Sequence, residues 1–158
     1  MFFALCLTFL PPLFIATAVI LFHKSKVPIR LIIYAALLGV LLTQPADILN
    51  SYTVDLLDMP PLAGLTEETL KLLLLFLFLW KRPEFKEPMD AVVYATLISL
   101  GFAAQENFYY VFDRVDGYSW SLAFHRALGA IPGHASFGII MGYYYGQYIF
   151  RGSKHLFV

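Results

Sequence analysis

Charged residues and cysteine are both scarce in this chain of 158 residues. Only 14% of the residues are charged, whereas 59% are hydrophobic. Soluble domains carry about a quarter charged residues, so this balance predicts an integral membrane protein surrounded by a lipid bilayer. The single cysteine, Cys6, excludes a disulfide framework within one chain. A formal net charge of zero gives no support for a nucleic-acid partner.

Several catalytic motifs are also absent from the sequence. There is no HExxH pair of zinc-binding histidines, no serine in a nucleophile elbow, and no aspartate pair within the apolar runs. These absences argue against a zinc protease, a serine hydrolase and a membrane aspartyl protease. Hydrolysis by a water molecule that a glutamate activates is the chemistry that the remaining residues allow. No metal and no other cofactor is therefore expected.

Long apolar runs predict an all-α fold, a polytopic membrane helix bundle of about five transmembrane helices. The runs cover residues 2–22, 31–49, 62–80, 90–112 and 120–150. The last run is long for one span and is expected to break near Pro132-Gly133, so it counts as one helix or two. Residues 1–158 are expected to form a single integral membrane domain. Lys24 and Lys26 follow the first run, which predicts a retained helix and not a cleaved signal peptide.

Basic residues are concentrated in alternate links between the runs. They are Lys24, Lys26, Arg30, Lys81, Arg82, Lys86, Arg151 and Lys154. The positive-inside rule therefore predicts a multi-pass protein with its N-terminus outside and its C-terminus in the cytoplasm. The polar segment 50–61 is predicted to be a loop on the outer side, with a short surface helix at 54–59 as an alternative.

Three ionisable residues on three different runs are predicted to lie at one depth. Counted from the cytoplasmic end of each helix, Glu67, Glu106 and His134 lie about 21, 24 and 26 Å deep. Ionisable groups within a membrane are costly and usually functional. Each of the three alone has an ordinary explanation, such as a first-turn acid or an interhelical hydrogen bond. Their shared depth favours a common site in the outer half of the membrane.

Helical spacing predicts that His134 faces other helices. It begins a stripe that continues with Gly138, Gly142 and Gly146 at intervals of four residues. Small residues at that spacing allow two helix backbones to approach closely. The stripe, with its histidine, is therefore expected to face protein and not lipid.

Glu67 and Glu68 are adjacent, so their side chains point about 100° apart on a helix. They are not expected to act as a carboxylate pair on one substrate atom. One of them is expected to face the site. The other is expected to contact a structural partner such as Lys71 or Arg126.

The motifs around these residues resemble those of the PrsW family of membrane proteases. The matching residues are Glu67-Glu68-Thr69-Leu70-Lys71, Gly101 to Asn107 with Tyr110, Arg126, and Gly133-His134-Ala135 with Phe137. This family belongs to a superfamily that includes the CAAX-prenyl endopeptidases and bacteriocin-processing proteins. The resemblance covers residues 62–150 and implies an intramembrane glutamic-type endopeptidase of a prokaryotic cell membrane. The implied substrates are single-span membrane proteins, such as anti-sigma factors, cleaved near the extracytoplasmic side.

The resemblance also implies roles for individual residues. Glu67 is the expected base, and Glu68, Glu106 and His134 complete the catalytic group. Supporting positions are Lys71, Phe102, Asn107 and Arg126. Glu106 stands where the prenyl-endopeptidase branch has histidine, and Gly138 where that branch has asparagine. Both departures favour the PrsW family.

Two other functions remain compatible with the sequence. The first is a catalytically inactive relative that binds membrane partners on the same scaffold, because a shared fold does not secure activity. The second is a proton-coupled transporter in which Glu67, Glu106 and His134 form a relay. The absence of an evident inverted repeat argues against the transporter.

Overall fold

The computed structural model describes residues 1–57, 61–113 and 119–151. Within these ranges the chain forms α helices and no β strand, which confirms the all-α prediction. The helices are α1 (Phe2–Phe22), α2 (Ile29–Leu57), α3 (Pro61–Leu79), α4 (Pro88–Phe112), α5 (Trp120–Leu128) and α6 (Ala130–Arg151). Phe2–Phe22 and Ile29–Thr53 are long and apolar enough to cross a membrane, judged by length and composition.

The last apolar run forms two helices, but the break lies at Gly129 and not at the predicted Pro132-Gly133. Gly129 ends α5, and its N–H donates to the carbonyl of His125 at 2.9 Å. Pro132 lies in the first turn of α6, where a missing N–H leaves no intrahelical hydrogen bond unmade. The N–H of Gly133 donates to the Gly129 carbonyl at 2.9 Å, so α6 continues through the predicted break.

Helix α2 extends farther than the sequence predicts. Residues 50–57 continue the helix, although the segment 50–61 is expected to be a loop. The hydroxyl of Thr53 donates to the Leu49 carbonyl at 3.0 Å, and Asn50 donates to Glu67 on α3 at 3.1 Å. These side chains therefore find partners while the backbone stays helical. Residues 58–60 of the predicted loop lie outside the described residues.

Helix α4 is the centre of the bundle, and every residue from Asp90 to Ala103 is buried. It packs against α6, α2 and α1. A Cβ atom added to Gly39 would overlap the carbonyl oxygen of Ile98, and one added to Gly101 would overlap that of Ala36. Only glycine at these two positions allows the backbones of α2 and α4 to approach so closely.

The glycine stripe of α6 faces α4, as the spacing predicts. Gly138, Gly142 and Gly146 are all buried. A Cβ atom on Gly142 would lie 2.5 Å from the carbonyl oxygen of Ala91. The close packing brings His134, one turn before the stripe, against the same central helix.

Large apolar side chains cover the outside of the bundle. On α1, for example, Phe2, Phe14 and Leu21 are each more than three-quarters exposed. An apolar surface of this extent is uncommon on water-soluble monomers. It suits contact with lipid chains, which do not compete for hydrogen bonds.

The beginning of α4 is attached to the end of α1 by what we call the His23 cluster: His23, Glu87 and Asp90. The Nε2 atom of His23 lies 2.8 Å from Oδ1 of Asp90 and 3.5 Å from Oε1 of Glu87. Glu87 and Asp90 also form a capping box, in which each side chain accepts from the backbone N–H of the other residue. The cluster therefore joins two helices and satisfies the N-terminus of the central one.

The three helices that carry the predicted site residues meet at the opposite end of α4. Helices α3 and α6 begin there, and α4 ends there. Glu67 and His134 lie within about two turns of the starts of their helices, at 3.6 residues per turn. The site is thus much nearer to one end of the bundle than to the other.

Candidate active site

Glu67 of α3, Glu106 of α4 and His134 of α6 lie together and form what we call the His134 cluster. One possible ligand atom from each residue lies within 4.8 Å of the other two. The Nε2 atom of His134 is 3.0 Å from Oε2 of Glu106. The structure therefore brings together the three residues for which the sequence predicts a shared depth. The side chains of Glu106 and His134 keep 17% and 14% of their surface exposed.

Arg126 of α5 holds the α4 side of the cluster. Its guanidinium donates to Oε2 of Glu106 at 2.7 Å and to Oδ1 of the buried Asn107 at 2.6 Å. The guanidinium also lies over the ring of Tyr110, 4.3 Å from the ring centre. A guanidinium can serve both acceptors at once because its donors are arranged in a planar fork. Arg126 therefore sets the position of the Glu106 carboxylate and is not the partner of Glu67 or Glu68.

Lys71 lies fully buried between α3, α4 and α6. Its ammonium is 2.8 Å from Oε1 of Glu68 and 3.0 Å from Nδ1 of His134. The ring of Phe102 lies under the ammonium, 4.0 Å away at its centre, and also contacts the His134 ring. Lys71 therefore lies at Nδ1 of His134 and Glu106 at Nε2, while Phe102 packs against the imidazole ring.

The two adjacent glutamates have different partners, as their helical angle predicts. Glu68 pairs with Lys71, while Oε1 of Glu67 accepts from Asn50 at 3.1 Å and its other oxygen lies 4.0 Å from Lys71. The sequence reasoning missed Asn50 because its segment is expected to be a loop. The polar end of the second apolar run is the only sequence signal that could have indicated it.

A cavity of about 620 Å³ opens beside the cluster, between α3 and α6. Its lining residues are Gly64, Leu65, Glu67, Glu68, Ala130, Gly133, His134 and Phe137. Both glutamates and the histidine therefore border the same space. Among the described residues, Oε2 of Glu68 is buried and has no hydrogen-bond partner. The site thus combines donor atoms, a carboxylate oxygen without a partner, and room for another molecule.

The His134 cluster has the chemistry of a metal site. One imidazole nitrogen and two carboxylate oxygens are donor types that zinc accepts in proteins. Catalytic zinc sites use three protein ligands and leave another position open, and the adjoining cavity gives access to such a position. The residues present therefore fit a divalent metal ion.

Residues 27–157 match the family described as "PrsW family intramembrane metalloprotease". The chain is 40% identical over 93 residues to a Protease PrsW of Clostridioides difficile (strain 630), covering 59% of this chain and 39% of the relative. It is 35% identical over 144 residues to the Protease PrsW of Oceanobacillus iheyensis, covering 87% of this chain and 65% of the relative. The corresponding protein of Bacillus subtilis (strain 168) is 32% identical over 138 residues, which is 80% of this chain and 60% of the relative.

The chain spans less than two thirds of the length of these curated relatives, between 39% and 65%. No solved structure matches the chain. The family assignment therefore rests on sequence similarity over most of the chain and on the matched family profile.

The family description corrects one prediction from the sequence. The lack of an HExxH motif led to the expectation that no cofactor is needed, but the matched family is one of metalloproteases. The expectation of no cofactor is wrong, because donors from three helices can meet without any short motif in the sequence. The resemblance itself is confirmed: this chain belongs to the PrsW family of intramembrane metalloproteases.

Proposed function

We propose that this chain carries out metal-dependent hydrolysis of peptide bonds within a membrane. The observation that carries the proposal is the His134 cluster at the wall of an accessible cavity. Ionisable groups that converge from three helices of a membrane bundle need a reason, since each is costly in an apolar environment. Binding and activating a reactant is the reason that the geometry supports best.

Glu67, Glu106 and His134 would hold the metal ion. A bound divalent ion supplies Lewis-acid chemistry, which activates water and polarises a peptide carbonyl. Arg126 keeps the Glu106 carboxylate directed at the cluster. Nδ1 of His134 lies 3.0 Å from the Lys71 ammonium, which can only donate, and 3.8 Å from Oε1 of Glu68, which can only accept. A metal-binding Nε2 would require the hydrogen on Nδ1, so Glu68 and not Lys71 would then be the partner of Nδ1.

Glu68 is the carboxylate left to move protons when Glu67 serves as a ligand. It borders the same cavity, and its Oε2 has no hydrogen-bond partner among the described residues. In the proposed step, the Glu68 carboxylate takes a proton from the attacking water as the new bond to the carbonyl carbon forms. The same carboxyl group then gives that proton to the amine nitrogen as the C–N bond breaks. The sequence-based prediction instead makes Glu67 the base. Whether Glu67→Gln retains the metal distinguishes the two assignments.

The proposed substrate is a single-span membrane protein, such as an anti-sigma factor, cut near the extracytoplasmic side of a prokaryotic cell membrane. The basic residues of the links predict that the end of the bundle where α3 and α6 begin faces outward. The site lies close to that end. A cleavage site just inside the outer face therefore agrees with both observations.

The test uses the purified chain in lipid vesicles with a single-span reporter protein. We expect cleavage that a chelator abolishes and zinc restores. Glu68→Gln should lower the rate at least about 100-fold, the usual effect of losing a general base, while the bound metal remains. Glu67→Gln should lose both metal and activity, whereas the loop substitution Glu84→Gln should change neither.

Three results would contradict the proposal. The first is full activity in Glu68→Gln, and the second is cleavage that survives complete removal of metal. The third is a wild-type chain that neither binds metal nor cleaves the reporter. Loss of activity in Glu67→Gln with the metal retained would return the base role to Glu67.

A further inference from the structure

Helices α3 and α6 both pack on α4. Near the starts of these two helices, the space between them is open. Their connection runs through Lys71, whose ammonium reaches His134 across the gap. Beyond that bond, toward the starts of both helices, lies the cavity of about 620 Å³. We call this space the α3–α6 cleft. The His134 cluster forms its inner end.

Two glycines, Gly64 and Gly133, line the cleft, and helix packing does not explain why these positions lack a side chain. Among the described residues, a Cβ atom on Gly64 or on Gly133 would meet no other atom within 4 Å. By contrast, the glycines of the α6 stripe contact the α4 backbone directly. A glycine inside a helix costs about 1 kcal/mol relative to alanine, so an unpacked one is unfavourable for stability. Their effect in the structure is to widen the cleft on both sides.

The other lining residues are apolar outside the catalytic group. Leu65 and Phe137 are 65% and 56% exposed, and Ala130 leaves a further gap in the α6 wall. Among the described lining residues, the outer part of the cleft is therefore uncharged, and charge is confined to its inner end. A straight helix with its side chains is about 10–12 Å across, whereas an extended chain is much thinner.

We propose that the α3–α6 cleft binds a substrate polypeptide in extended form, with its backbone lying between Gly64 and Gly133. The substrate enters sideways from the bilayer, as an unwound segment at the end of its membrane span. Missing side chains on both walls allow that backbone to reach Glu68 and the His134 cluster. Leu65 and Phe137 contact apolar side chains of the substrate at the rim. This inference rests on the proposed function, since it assigns the path to the same site.

Photo-crosslinking tests the path without requiring turnover. A photoreactive phenylalanine analogue is placed at Leu65 or Phe137 in a chain that carries Glu68→Gln. Matched positions on the lipid-facing sides of the same helices are Leu77 and Ile140, which are 60% and 52% exposed. The probe is a pool of single-span reporters whose short extracytoplasmic segment, next to the membrane, has a randomised sequence. We expect crosslinks from positions 65 and 137, at yields several-fold above those from 77 and 140.

Filling the cleft provides the second measurement. Gly64→Leu and Gly133→Leu should each reduce crosslinking and cleavage of the reporter several-fold, while thermal stability stays equal or rises because leucine favours helix. Thr69→Leu adds similar bulk on an exposed face of α3 outside the cleft, so crosslinking of the reporter should be unchanged in this variant. If the two glycines had a purely structural role, the leucine variants would be less stable than wild type. The fraction that is folded would still crosslink to the reporter as the wild type does.

The outcomes separate this inference from the proposed function. The path between α3 and α6 would be overturned by equal crosslinking from all four positions. It would also be overturned if both leucine variants crosslinked to the reporter as well as the wild type does. If the wild-type chain cleaves the reporter at the same time, the proposed function stands. Crosslinks confined to positions 65 and 137 without any cleavage would support the path and count against catalysis.

Discussion

The two ends of α4 carry groups of nearly identical composition. Each group has one histidine and two carboxylates whose possible ligand atoms lie within 4.8 Å of one another. The His23 cluster lies where α4 begins, and the His134 cluster lies near where it ends. Residue types and distances alone would give the two clusters the same function.

Their oxygen atoms are used differently. In the His23 cluster, Oδ2 of Asp90 accepts from the backbone N–H groups of Lys86 and Glu87 at 2.8 and 3.0 Å, and Oδ1 faces His23. His23 and Asp90 are only 7% and 5% exposed. The atoms of His23 and Asp90 are thus committed to holding the backbone of α4 and the end of α1, whereas the Glu87 side chain is 41% exposed.

The carboxylates of the His134 cluster are held by other side chains, and Glu67 and His134 of this cluster border a cavity. Arg126 donates to Glu106, and Asn50 donates to Glu67. Neither carboxylate caps a helix. The two clusters therefore have nearly the same composition but differ in their access to a cavity and in the groups that hold their carboxylates.

Removing each histidine should give the largest contrast. His134→Ala should lower the cleavage rate by about 100-fold or more, because it removes a metal ligand; even outer contacts of metal ligands are worth about 10–100-fold. His23→Ala should retain most of the activity of the protein that remains folded. Cleavage of the single-span reporter, normalised to folded protein, measures both. A comparable loss of cleavage activity in the two variants would contradict the proposed difference between the His134 cluster and the His23 cluster.

Arg126→Ala should have an intermediate effect. Without the guanidinium, Glu106 and Asn107 both lose a donor, and the Glu106 carboxylate is no longer held toward the cluster. We expect metal affinity to fall about 10–100-fold, as measured by competition with a chelator. Arg126→Lys should restore little, since an ammonium lacks the planar fork that serves both acceptors. Arg30→Ala, which removes an exposed arginine from the opposite end of the bundle, is the control; unchanged affinity in Arg126→Ala would refute the positioning role.

The smallest expected effect is a loss of stability in His23→Ala. The substitution leaves a buried oxygen of Asp90 without its partner, which typically costs about 1–3 kcal/mol. Thermal unfolding in detergent should show a Tm below that of wild type by a similar margin with and without added metal, because both chains still bind metal at the His134 cluster. His23→Gln, which can still donate to Asp90, should lose less. A metal-dependent rise in the Tm of the wild type that disappears in His23→Ala would instead make this cluster a metal site.

The sequence allowed much of the site to be predicted, because counting inward from the basic links gave Glu67, Glu106 and His134 one depth. Asn50 was missed because its segment has the polarity of a loop, although α2 continues through it. The break at Gly129 was misplaced because a proline within the first turn of a helix does not interrupt it. The expected absence of a cofactor is wrong for a different reason. Donors on three helices form no spacing motif, so only the packing of those helices around α4 assembles them.

The metal content of three purified chains distinguishes the two clusters in one measurement. Wild type, His134→Ala and His23→Ala are prepared in the same detergent, loaded with zinc, freed of unbound ion and analysed by elemental mass spectrometry. If the His134 cluster is the metal site, zinc should be stoichiometric in wild type and in His23→Ala, and absent from His134→Ala. Zinc that is retained by His134→Ala and lost from His23→Ala would contradict that assignment.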